Sequence, residues 1–268
     1  MIHSPPPWCA RDALRKVYVS KIRDGQFGQK TAETYEMWEC ATARLGYLHP
    51  FPEIDYSDET YRVSVNKSAD IEQYFKLDAA QQPDYLALLG THLQPEQVVA
   101  DCGCGGGSLL DLVNKKTGGR TIAIEPYIGY HQSLADRGHE VHPTVEAALI
   151  HGLGGSADIA LSFHVIEHVI DPVVCLSAMR RLVRPGGIAV ILTPNWDDIL
   201  MKVDPDHMEP FFYHEFGLAN TLLWLRDGKP AGHARCPWVD ETMDASWRKN
   251  LERIGNANNV GIVLKNGR

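Results

Sequence analysis

The 268-residue sequence has no apolar stretch approaching the roughly 18 residues of a membrane span, and no apolar core behind a charged start that would read as a secretion signal. It has no basic tract either. No run of Lys and Arg exceeds two residues, and the formal net charge is −8. Affinity for nucleic acid rests on clustered cations, so a partner with a phosphate backbone is not expected, and neither is a membrane partner. Internal repeats and low-complexity tracts are absent, which excludes solenoids and arrays. The six cysteines (Cys9, Cys40, Cys102, Cys104, Cys175 and Cys236) are scattered and form no disulfide framework. Reduced thiols and a cytoplasmic location are the expectation. What remains is an ordinary globular composition, 44% hydrophobic and 22% charged, in a chain long enough for one large domain, or one domain with an appendage.

The most informative segment runs from Val98 through Asp101-Cys102-Gly103-Cys104-Gly105-Gly106-Gly107 to Leu110. An apolar strand ends in an acid, a glycine turn follows, and an amphipathic helix begins near Leu109. Glycine lets the backbone turn sharply and lie against a ligand, and the N–H groups of the new helix face whatever occupies the turn. This is the first βα unit of a nucleotide-type binding domain. A dinucleotide fingerprint would place its third glycine at 108, where Ser108 stands. The pattern present is D-x-G-x-G-x-G, from Asp101 to Gly107.

Glu125 ends the next apolar run, Thr121–Ile124, 20 residues past Gly105. A carboxylate there can accept both hydroxyls of a ribose. A nicotinamide enzyme would use the same acid, so Glu125 points to a nucleoside without choosing the cofactor. Further on, 157–163 leads into His164-Val165-Ile166-Glu167-His168-Val169-Ile170-Asp171-Pro172. Asp171 is placed to cap a helix whose first residue is Pro172, and Val173, Leu176, Met179 and Val183 give that helix an apolar face. Arg184-Pro185-Gly186-Gly187 breaks it, and 187–195 reads as a further buried strand.

These segments resemble the class I S-adenosylmethionine-dependent methyltransferases, strongly over about residues 70–200 and weakly on the flanks. The turn is similar to that family's first motif. The stretch from Asp158 to Pro172 resembles its "D-x-x-x-S-x-x-V-x-E-H-V-x-D-P" segment, common in ubiquinone-pathway and sugar enzymes. The resemblance implies a doubly wound, mostly parallel seven-stranded sheet, with strands near 98–101, 121–125, 139–142, 157–163, 187–193 and 260–265, the last antiparallel beside the fifth. It implies S-adenosylmethionine as cofactor. It places Asp101, Cys102, Gly103, Gly105 and Gly107 around the methionine end and Glu125 and Pro126 at the ribose. Thr144 and Val145 flank the adenine, and Phe163 and His164 close the site.

Around this core, residues 1–57 read as a helical extension, with helices near 10–23 and 29–45 that offer a face for self-association. Residues 58–268 form the binding domain. It includes a helical run at 71–92, a substrate-side insertion at about 196–250 with one helix near 213–225, and a final strand at 260–265.

Transfer of a sulfonium methyl is a direct displacement, in which the protein holds acceptor and leaving group in line. A neutral alcohol must also lose its proton, and histidine suits that task near neutral pH. His164 and His168, at the mouth of the sheet, are the candidate bases, and His207 in the insertion is the reserve. A divalent ion on Glu167 and His168 is the lesser alternative. The H-x-x-E-H spacing also matches a zinc peptidase pattern, but His164 ends a strand rather than lying on a helix. The aromatic groups Phe211-Phe212-Tyr213, Trp224, Trp238 and Trp247 suit a sugar or small apolar acceptor, and equally a hydrophobic core. O-methylation of a sugar, glycan precursor or small natural product is the expectation, with N- or C-methylation, or a nicotinamide-dependent oxidoreductase or epimerase, as alternatives. Ser108 counts against the last class.

Overall fold

The computed structural model describes residues 13–21, 31–42, 45–51, 54–66, 70–72, 75, 82–194, 239–254 and 259–267. The chain divides into two units. One comprises Met1–Glu53 with Pro194–Val260, the other Ile54–Thr193 with Gly261–Arg268.

In the first unit the expected N-terminal helices are replaced by strands. β1 (Leu14–Ser20), β2 (Tyr35–Cys40) and β3 (Leu45–His49) form an antiparallel sheet in the order β1-β2-β3. The β-branched and aromatic residues Val17, Tyr18, Val19, Tyr35 and Trp38 fit a pleated surface better than a helix. Cross-strand pairs reinforce the sheet. Arg15 meets Glu39 directly opposite at 2.5 Å, and Lys16 reaches Glu36 diagonally at 2.5 Å while lying 5.0 Å from the Trp38 ring centre. Self-association through N-terminal helices loses its premise. Cys40 is disulfide-bonded, which runs against the expectation of reduced cysteines throughout. The helix α7 (Glu241–Ile254), within the expected insertion and its flank, was not anticipated, and the helix expected near 213–225 lies outside the described residues.

The second unit is built on α1 (Glu59–Asn66), α2 (Gln82–Leu89), β4 (Val99–Cys102), α3 (Ser108–Thr117), β5 (Thr121–Ile124), α4 (His131–Asp136), β6 (Glu140–His142), α5 (Val145–Ile150), β7 (Ala157–Phe163), α6 (Pro172–Leu182) and β8 (Val183–Pro194). With β9 (Asn259–Lys265) the strands lie in the order β6-β5-β4-β7-β8-β9. The pairs β4–β5, β4–β7, β5–β6 and β7–β8 are all parallel. Six strands among the described residues replace the seven expected, and the α/β architecture stands.

Alternation along the strands divides the core between the faces. Ala100, Ile122, Ile124 and Ala160 pack with Ala148 of α5 and with Met179 and Leu182 of α6. Val99, Ile159, Leu161 and Val190 pack with Leu109 and Val113 of α3 and with Tyr85 and Leu89 of α2. Parallel strands need cover on both faces, which is why 157–163 reads as a near-continuous apolar run. Asp171 caps α6 as expected, its carboxylate accepting from the N–H groups of Val173 at 2.9 Å and Val174 at 3.0 Å. The strand β8 begins earlier than expected and runs through Arg184–Gly187. Asn266 anchors that stretch, with its side-chain amide donating to the Val183 carbonyl at 2.7 Å.

Candidate active site

The site lies at the C-terminal ends of β4, β5 and β7, where an open parallel sheet presents loops to a ligand. Beyond β4 the chain turns at Gly103 (φ +90°), whose N–H donates to the Ile124 carbonyl at 2.7 Å. That bond ties the turn to the end of β5. A side chain at 103 would run into Val165, so both the φ value and the close approach demand glycine. Gly107 (φ +82°) opens α3 in the left-handed region, with Leu134 filling the space a Cβ would need. Arg137 braces the same turn. Its guanidinium donates to the Gly106 carbonyl and pairs with Asp111 of α3, and its Nε donates to the Ser133 carbonyl at 3.1 Å. Asp101 is buried at the end of β4. The thiols of Cys102 and Cys104 are buried as well, and burial pushes both well above their ordinary range, so they act as small apolar groups.

Glu125 follows β5 with its side chain only 1% exposed. Oε2 accepts from the Gly105 N–H at 2.9 Å, which joins the acid to the glycine turn. Oε1 accepts from the Tyr127 N–H at 2.9 Å and from the Arg62 guanidinium. Arg62, on α1, lies against the rings of Tyr61, Tyr127 and Tyr130, with guanidinium-to-ring distances of 5.3, 6.0 and 5.4 Å.

The loop after β7 carries the histidines. His164 has φ +55°, a left-handed backbone that a non-glycine residue adopts at a cost, and its N–H donates to the Leu192 carbonyl at 2.8 Å. Its Nδ1 lies 3.5 Å from Glu167 Oε1, while Glu167 Oε2 accepts from Thr193 Oγ1 at 3.1 Å. A short 3₁₀ turn, Ile166–His168, then presents His168, whose Nδ1 lies 2.8 Å from the Tyr56 hydroxyl. Burial holds the His168 imidazole below its ordinary pKa of 6.5, and the nearby Glu167 carboxylate opposes that effect. Burial also raises the Tyr56 phenol, which keeps its proton. Tyr85 packs edge-on against Phe163, with ring centres 5.3 Å apart, and lies 6.0 Å from the His164 ring.

The expected residues therefore fall into groups. Gly105 and Glu125 are hydrogen-bonded to each other, Gly103 lies beneath Val165 of the histidine loop, and His164 and His168 share that loop. Thr144 caps α5, accepting from the Ala147 N–H at 3.1 Å, and Val145 packs against the core face of α5 and α6. Pro126 is half-buried beside Glu125. His207 and the aromatic group Phe211-Phe212-Tyr213 lie outside the described residues. Among the described residues, no group of three or more His, Cys, Asp or Glu is arranged to hold a metal ion. Sequence reasoning missed Tyr56 and the role of Arg62. The cluster of Tyr56, just before α1, with Tyr61 and Arg62 in its first turn was the available signal, but nothing local in it names Glu125 or His168 as partners.

The sequence is similar to several known proteins. A family profile described as "Methyltransferase domain" matches residues 73–257. A ubiquinone biosynthesis O-methyltransferase of Rhizobium johnstonii is 33% identical over 215 residues, covering 78% of this chain and 75% of that protein. An uncharacterized 37.1 kDa transposon protein of Streptomyces fradiae is 35% identical over 136 residues, covering 48% of this chain and 39% of its own length. A ubiquinone biosynthesis O-methyltransferase of Cereibacter sphaeroides (strain KD131) is 33% identical over 101 residues, covering 35% of this chain. The chain spans 40% of that protein's length, so several of these matches are partial. Among solved structures, a SAM-dependent methyltransferase from Archaeoglobus fulgidus aligns over 72% of this chain and 99% of its own, at 17% identity and a TM-score of 0.44.

Proposed function

Because this chain belongs to the S-adenosylmethionine-dependent methyltransferase family, we propose that it transfers a methyl group to a hydroxyl of a small molecule, with His168 as the base. The observation that carries the reading is the pairing of a glycine turn, bonded through Gly105 to a buried acid, with a histidine loop that packs on the same turn. The glycines leave the main chain of the turn without side chains, as a ligand lying against it requires, and a Cβ at 103 would run into Val165. Gly103, Gly105 and Gly107 would lie along the methionine end, with Asp101 at its amino group and Glu125 at the ribose. Pro126 stands beside Glu125 at the ribose, and Thr144 and Val145 are assigned to the adenine side. When bound, S-adenosylmethionine supplies an electrophilic methyl group on sulfur.

The chain's own task is then to hold the acceptor and take its proton. Burial keeps His168 neutral near pH 7, the state a base requires. In the tautomer this role needs, Nδ1–H donates to the Tyr56 oxygen and Nε2 is the atom that takes the proton. Glu167, fixed by Thr193, lies beside His164 and favours positive charge on the loop as the proton arrives. His164 and Phe163 border the acceptor, and His207 is the second candidate base.

Two relatives are named as ubiquinone biosynthesis O-methyltransferases, which supports oxygen as the acceptor atom. The acceptor class is proposed as a sugar, glycan precursor or other small hydroxylated natural product. A membrane or nucleic-acid partner forms no part of the proposal. No helix among the described residues is long and apolar enough to cross a membrane. The test is transfer of a labelled methyl group from S-adenosylmethionine to a panel of phenols, sugars and primary amines. Label in a phenol or sugar supports the reading. Label confined to amines overturns the hydroxyl assignment, and tight binding of NAD without binding of S-adenosylhomocysteine removes the cofactor assignment.

A further inference from the structure

We infer that Glu125 offers the cofactor's ribose a single hydrogen bond rather than two, because Arg62 and two backbone N–H groups already hold the rest of its carboxylate. The inference rests on the cofactor reading above and concerns how that site recognises the ribose. An ionised carboxylate has about four lone-pair sites, two on each oxygen. On Oε1 both are taken, one by the Tyr127 N–H at 2.9 Å and one by the Arg62 guanidinium. On Oε2 one is taken, by the Gly105 N–H at 2.9 Å. One site remains, on the oxygen that faces the glycine turn.

A ribose bound through both hydroxyls would have to displace one of these donors. The two N–H groups belong to the turn and to the chain just after β5, and cannot leave without unmaking the fold there. Among the described residues, Arg62 is the only one of these donors on a side chain. Its exposure is 12% and that of Glu125 is 1%, so the pair sits largely out of water. Separating them takes the counter-charge from a carboxylate that is only 1% exposed, whereas a second bond from a neutral hydroxyl recovers only part of that loss. The cation also lies against the Tyr61, Tyr127 and Tyr130 rings, contacts it would give up on moving away. The balance keeps Arg62 in place and sends the second hydroxyl elsewhere. Arg62 therefore acts as a specificity residue of the cofactor site: it sets which ribose hydroxyl the protein reads.

The test is calorimetric titration of the full chain with S-adenosylhomocysteine and with its 2′-deoxy and 3′-deoxy ribose analogues. One analogue should bind roughly tenfold more weakly or worse, as for a lost hydrogen bond to a charged group, and the other within about threefold of the parent ligand. In Arg62→Met, where the second Oε1 site is freed, the tolerated analogue should lose affinity too. Comparable losses for both analogues on the parent protein overturn the inference, since they mean that Arg62 has given way. No loss for either shows that Glu125 does not read the ribose, and overturns it as well. If S-adenosylhomocysteine itself fails to bind, the cofactor reading falls and takes the inference with it. The parent-protein series decides the matter even if Arg62→Met does not fold.

Discussion

The glycine turn and the histidine loop stand side by side at one end of the sheet, yet they are held by different means. The turn is held mostly through its main chain: the Gly103 N–H donates to the Ile124 carbonyl, the Gly105 N–H to the Glu125 carboxylate, and Gly107 opens α3, with the Arg137 side chain bracing the Gly106 carbonyl. The histidine loop is fixed by side chains brought from a distance. Tyr56 reaches His168 across 112 residues, and Thr193 reaches Glu167 across 26. A main-chain cradle positions a ligand whatever the protonation of its surroundings. A side-chain array responds to pH and to single substitutions, which suits groups that must change state during a reaction. Binding should therefore depend on the first region and turnover on the second.

The largest expected effect separates the two regions most cleanly. His168→Ala should lower kcat by about 10²–10⁴-fold, the usual contribution of a general base, and leave the dissociation constant for S-adenosylhomocysteine close to that of the parent. Equal losses in binding and rate would merge the two regions into one. Glu125→Ala should show the converse, weakening cofactor binding by roughly 1.5–3 kcal/mol in a titration, as for a lost hydrogen bond to a charged group. Unchanged affinity would remove Glu125 from the ribose. Outside both regions, Asp171→Ala should lower stability by about 1 kcal/mol in a denaturant melt through loss of the α6 cap, while the dissociation constant stays put. Within the histidine loop, Tyr56→Phe should cost about 0.5–1.5 kcal/mol in kcat, the worth of one hydrogen bond, with KM little changed.

The pH dependence sharpens the same contrast. The folded-state pKa of His168 lies below its ordinary value of 6.5, so the native protein binds this proton less readily than the unfolded chain. The associated stability is complete above pH 6.5 and is lost as the pH falls through the lower folded value. Turnover should rise with pH along a limb centred below 6.5, and cofactor binding should show no such limb. An activity limb centred above 6.5 would point to another base.

Much of the turn was legible in the sequence, because its signals are local. An acid closing an apolar run, glycines at fixed offsets and a second acid 20 residues past Gly105 all fall within one βαβ stretch, where local pattern sets the path of the chain. Asp171 and Pro172 announced their helix in the same way. The partners of the histidine loop were not legible. Tyr56, Thr193 and Arg62 become neighbours of His168, Glu167 and Glu125 only after the sheet assembles, and spacing along a chain carries no trace of that. The strands β1–β3 were missed for another reason. The helices expected near 10–23 and 29–45 gave way because the β-branched and aromatic content of those stretches favours strands, which cross-strand pairing then rewarded.

Val165 lies where a side chain at 103 would project. The two loops are thus keyed like a tongue in a groove, and their inheritance is linked. A lineage that reshapes the histidine loop to accept a new substrate must keep a compact residue facing 103, or else shift the cofactor turn. A lineage that enlarges position 103 must first hollow out 165. Engineering for a new acceptor should accordingly begin at His164 and beyond Val169, and leave the keyed pair for last.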